Sequence, residues 1–132
     1  MLKKTIKFTD FNGNEREEDF YFNLTEAEVV EMQLVTKGGL KQYLESIITA
    51  KDVPALAELF KKFINKSYGV KSLDGRKFMK SPEILEEFVS TQAYSNLYMS
   101  LVMDSTAASN FINGIFPKSM TEDLKAIPNA AQ

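Results

Sequence analysis

The sequence predicts an α+β fold, mainly α, with an N-terminal β-hairpin packed on a bundle of about six short helices. Apolar and polar residues alternate around Ile6 and Phe8 and again around Phe20 and Phe22, which is the period of half-buried strands. Further on, apolar residues recur at spacings of three and four, the mark of helices with one buried stripe. Thr25, Asp52, Ser81, Thr91 and Asp104 precede these stripes, and their short side chains suit helix N-caps.

The hairpin register follows from its loop. A two-residue Asn-Gly turn would put Ile6 and Phe8 on the opposite face from Phe20 and Phe22, leaving half the apolar side chains in water. A three-residue loop, Phe11-Asn12-Gly13, with Gly13 in the left-handed region, pairs Asp10 with Asn14 and collects all four on one face. Lys7 then lies opposite Glu17. The acidic run from Glu15 to Asp19 reads as a solvated strand edge rather than a metal site.

Thr25-Glu26-Ala27-Glu28 is a capping box that opens the first helix, whose apolar residues are Val29, Val30, Leu34 and Val35. Leu40, Tyr43, Leu44, Ile47 and Ile48 mark a second helix. Gly38 and Gly39 between them serve either as a tight helix corner or as a hinge. Asp52 with Pro54 starts a third helix with the stripe Leu56, Leu59, Phe60, Phe63 and Ile64; Lys61, Lys62 and Lys66 lie on its other side, and Gly69 closes it. Residues 70–80 hold an Asp74-Gly75 turn and form a small hairpin or an ordered loop.

Ser81-Pro82 opens a short helix with Ile84, Leu85, Phe88 and Val89. Thr91 caps the next, with the stripe Tyr94, Leu97, Tyr98, Leu101 and Val102. Asp104 caps the last, with Ala107, Ala108, Phe111 and Ile112 inside and Gly114 as its stop. The expected organisation is one globular domain over residues 1–116, with the hairpin in 1–23 and the helices in 25–116, followed by a flexible tail over 117–132.

With 132 residues, 44% apolar, 11% aromatic and 26% charged, the chain can build a core without a metal or disulfide staple. Sixteen basic against eighteen acidic residues give no basic surplus for binding nucleic acid. No stretch reaches the ~20 apolar residues that span a bilayer, and the Lys-rich start lacks a signal-peptide core, so a cytosolic protein is expected. Cysteine and histidine are absent, which removes thiolate nucleophiles, imidazole bases and the usual zinc ligands. Glu17-Glu18, Glu86-Glu87 and Glu122-Asp123 are neighbours in sequence whose side chains diverge, so none is a ready acid-base pair. No catalytic, cofactor or metal residue is assigned.

The candidate partner-binding residues are Met32, Met99, Met103, Ile115 and Phe116. Met99 and Met103 are four apart and partly off the apolar stripe, where methionine offers a soft, adaptable contact; filling core gaps is the competing role, as it is for Met32. Ile115 and Phe116 present either the same kind of surface or a clasp that folds back on the helices.

Taken together, "LTEAEVVEMQL", "TKGGLKQYLESII", "KSYGVKSLDGRKFMKS", "TQAYSNLYMSLVMD" and "FINGIFP" resemble the tail assembly chaperones of siphophages infecting Gram-positive bacteria, over residues 1–117. The resemblance implies a small, mainly helical non-enzyme that coats the long tape measure protein before the tail tube polymerises, with self-association among its copies. It also implies a frameshifted longer product that engages the tail tube protein. The expected location is the cytoplasm of the infected bacterium, with the protein absent from the finished virion. The alternative is a phage-encoded interaction or inhibitor protein acting on a host factor.

Overall fold

A computed structural model describes residues 1–34 and 53–117. Within them lie four strands and five helices: β1 (Leu2–Thr9), β2 (Glu15–Phe22), α1 (Glu26–Leu34), α2 (Val53–Ser67), β3 (Tyr68–Lys71), β4 (Phe78–Met79), α3 (Pro82–Val89), α4 (Gln92–Met103) and α5 (Ser105–Ile115). The strands form one antiparallel sheet in the order β1-β2-β3-β4. The fold is therefore α+β, with more sheet than a single hairpin supplies.

The β1–β2 register pairs Lys7 with Glu17 and Phe8 with Arg16, as the three-residue loop requires. Gly13 takes φ +84°, and Asp10 N–H donates to Asn14 O at 2.8 Å. Ile6, Phe8, Phe20 and Phe22 consequently share the buried face, while Thr5, Lys7, Thr9, Glu15, Glu17 and Asp19 lie on the exposed one. There Thr5 Oγ1 donates to Asp19 Oδ1 at 2.6 Å, and Lys7 Nζ lies 3.6 Å from Glu17 Oε2. Only Tyr21 and Phe22 of β2 pair with β3, so Glu15 to Asp19 remain an edge.

Residues 70–80 contribute the second hairpin, whose Gly75 turns at φ +75°. The expectation that Gly69 ends a helix is corrected. α2 stops at Ser67, whose hydroxyl donates to Phe63 O at 2.6 Å, and Gly69 sits in β3. A Cβ there would lie 2.7 Å from Phe78 Cε2 and 2.9 Å from Met79 O, so the strand needs glycine to let the Phe78 ring cross it. Gly114 is corrected in the same way: α5 continues through it to Ile115, and a Cβ at this position would meet Leu2 Cδ1 at 2.8 Å. Close approach of α5 to β1 sets the residue, not helix termination.

Helix starts follow the capping chemistry. Thr25 N–H donates to Glu28 Oε1 at 2.9 Å while Glu28 N–H donates to Thr25 Oγ1 at 3.2 Å, a reciprocal box. Ser81, Thr91 and Asp104 cap α3, α4 and α5 through their side-chain oxygens. The buried stripe of α2 is Leu59, Phe60, Phe63 and Ile64, and Lys61, Lys62 and Lys66 are exposed.

An aromatic seam joins sheet to helices. Tyr68 stacks on Phe88 at 4.4 Å between ring centroids, and Phe22 meets Phe88 and Phe111 edge-on at 5.8 and 5.3 Å. Such pairs add about 0.5–1.5 kcal/mol each beyond area burial. The expected second helix, the Asp52 cap and residues 118–132 of the expected tail lie outside the described residues.

Candidate protein-binding surface

The rotation of α4 decides which of its residues can meet a partner. Ala93, Leu97 and Leu101 are buried along one side. On one flank Tyr98 Oη donates to Ala57 O of α2 at 3.2 Å, and on the other Asn96 Nδ2 donates to Lys7 O of β1 at 3.1 Å. Held on both sides, the helix turns Met99 and Met103 outward, 50% and 77% exposed. They stand one turn apart on the same face. Their thioether chains form a deformable apolar ridge beside the exposed Ser95 and Ser100.

The other candidates are placed differently. Met32 (5% exposed), Ile115 (0%) and Phe116 (5%) are core residues, so of the two readings offered for each, the outward one is corrected and the core or clasp one is what the fold adopts. Leu24 N–H donates to Ile115 O at 2.9 Å, and the Phe116 ring meets Phe63 edge-on at 5.7 Å. The last turn of α5 and Phe116 thus fold back on the helices as a clasp, because α5 passes through Gly114 instead of stopping there. Gly38 and Gly39 lie outside the described residues.

Sequence reasoning missed Lys80. Its ammonium donates to Asn23 O, Lys66 O and Glu28 Oε2, each at 2.8 Å, tying the end of β2, the end of α2 and the first turn of α1 together. Partial burial raises the Glu28 pKa, but hydrogen bonds from Lys80 and from Thr25 N–H outweigh it and hold the carboxyl below its ordinary value. At the hairpin tip, the Arg16 guanidinium bonded to Asp10 holds that carboxyl below its ordinary value, helped by the N–H groups of Asn14 and Asn12.

Among the described residues, no group of three or more acidic side chains is placed to hold a metal ion, and no helix is long and apolar enough to cross a membrane.

A family model described as phage tail assembly chaperone matches residues 1–131. Neither the curated proteins nor the solved structures contain a match to the chain. With the match extending over all but the last of its 132 residues, the chain belongs to the phage tail assembly chaperone family.

Proposed function

We propose that this protein binds and solubilises the tape measure protein during tail morphogenesis, acting in the cytoplasm of the infected bacterium and without catalysis. The observation that carries the reading is the outward pair Met99 and Met103 on a helix locked by Tyr98 and Asn96. A long amphipathic helical partner exposes apolar surface that aggregates, and an adaptable ridge one helical turn long can cover one short stretch of it. Many copies along one partner, touching each other, would convert weak contacts into a stable coat through effective concentration. Self-association is part of the proposal for that reason.

The test is co-expression with the tape measure protein of the same phage. A soluble complex containing many copies of this chain supports the reading. A partner that stays in the pellet while this chain remains soluble and unbound refutes it.

A further inference from the structure

We propose that the tip of the β1–β2 hairpin is a separate docking surface, for a basic segment of another polypeptide that inserts an apolar side chain behind Phe11. Phe11 is 79% exposed in a loop that sterically needs only a small or polar residue there. Nor is it on a floppy tip. Asp10 Oδ1 accepts from Asn12 N–H and Asn14 N–H at 2.9 Å each, Asp10 O accepts from Gly13 N–H at 3.0 Å, and Asp10 Oδ2 accepts from Arg16 Nε at 2.6 Å. The aromatic ring is presented by a braced turn, so little ordering entropy opposes its use in binding.

Behind the ring, the hairpin overhangs the corner between α3 and α4. A notch of about 350 Å³ lies between them, lined by Phe8, Phe11, Arg16, Glu18, Ser90 and Thr91. Val89, the last residue of α3 and 39% exposed, immediately precedes this corner. The notch is large enough for one apolar side chain, and its lining mixes the Phe8 and Phe11 rings with polar side chains.

Charge selects the occupant. Of the side chains that line the notch, Asp10 and Glu18 are acidic and Arg16 is basic. Arg16 is already taken by Asp10 and Glu18, at 2.6 and 3.4 Å, and Lys7 faces Glu17. On the opposite face of the hairpin, Glu15 makes no ion pair among the described residues and adds to the negative potential around the tip. The surplus is negative, so it attracts lysine- or arginine-bearing chains and repels acidic ones. A second copy of this chain would bring its own acidic tip, and the chain as a whole carries −2. This inference does not depend on the methionine ridge, and different variants test the two.

The experiment titrates the isotope-labelled full chain, at low salt, with two synthetic peptides of one leucine-rich pattern whose polar positions are all lysine in one and all glutamate in the other. Amide resonances of Asn12, Arg16, Glu18, Ser90 and Thr91 should shift with the lysine peptide alone. Phe11→Ala should weaken that binding about tenfold, and Glu18→Lys should weaken it severalfold, both with unchanged thermal unfolding. Equal shifts with the glutamate peptide, unchanged affinity in Phe11→Ala, or shifts confined to α4 around Met99 and Met103 would each overturn the proposal. So would concentration-dependent shifts at the notch without peptide, which would make a second copy the occupant.

Discussion

Lys80 Nζ lies 2.8 Å from Glu28 Oε2, and the same ammonium reaches the carbonyl oxygens of Asn23 and Lys66. Lys66 O lies in the last turn of α2, where the helix dipole favours a cation, and Glu28 lies in the first turn of α1, where it favours an anion. One side chain therefore satisfies two helix ends and a strand exit together. It fixes where α1 leaves the sheet.

Replacing Lys80 by methionine keeps most of the side-chain volume and removes the three bonds. Lys80→Met should cost about 1–2 kcal/mol in urea unfolding, since the bonded groups are partly solvated and water replaces some contacts. A loss below a few tenths would mean that the ammonium merely rests on the surface.

The same contact sets a pH dependence. Glu28 has a folded pKa below its ordinary 4.5, so the ionised form binds the folded state better. Its stabilising contribution is fully present above about pH 4.5 and is lost as the pH falls through the lower folded value. The stability gap between the native chain and Glu28→Gln should accordingly narrow below that pH. A gap that widens on acidification would contradict the assignment.

Gly69 and Gly114 both lack room for a Cβ, but against different neighbours. At Gly69 part of the obstacle is backbone, Met79 O at 2.9 Å, whereas at Gly114 it is the Leu2 side chain. Gly69→Ala should destabilise by about 1–3 kcal/mol and recover only partly when Phe78 is shortened to alanine. Gly114→Ala should be milder and should be relieved by Leu2→Ala. Thermal unfolding of the four variants gives the answer, and full rescue of Gly69→Ala would place the conflict in the ring alone.

Burial separates the two groups of partner candidates. Met99→Glu and Met103→Glu should each change stability by less than about 0.5 kcal/mol, because both side chains already face water. Ile115→Glu and Phe116→Glu put a carboxylate into the core and should cost more than about 3 kcal/mol. Comparable unfolding midpoints for all four variants would contradict the placement of the clasp.

The first hairpin was legible because loop length and apolar alternation admit one register that gathers Ile6, Phe8, Phe20 and Phe22. Caps were legible because they are local: Thr25, Ser81, Thr91 and Asp104 act within three residues of themselves. A small hairpin over residues 70–80 was legible as one of two alternatives, but its pairing with β2 was not, because β3 and β4 are four and two residues long, too short for alternation to register. Gly69 has the local look of a helix stop, and it takes the Phe78 ring and the Met79 carbonyl, nine and ten positions later, to explain it. Lys80 draws its acceptors from 14, 52 and 57 residues away, separations that no sequence pattern encodes. The outward direction of Met99 and Met103 was half legible: the stripe put them off-centre, but the bonds from Tyr98 to Ala57 and Asn96 to Lys7 set the rotation that exposes them.

The most direct measurement is the mass, by light scattering, of the complex recovered when the tape measure protein is co-expressed with the native chain or with the Met99→Glu/Met103→Glu variant. The native chain should yield a soluble assembly far heavier than a one-to-one pair, and the variant, folded by circular dichroism, should yield none. An assembly of unchanged mass from the variant would contradict the role given to the methionine ridge, and no assembly from the native chain would contradict the function itself.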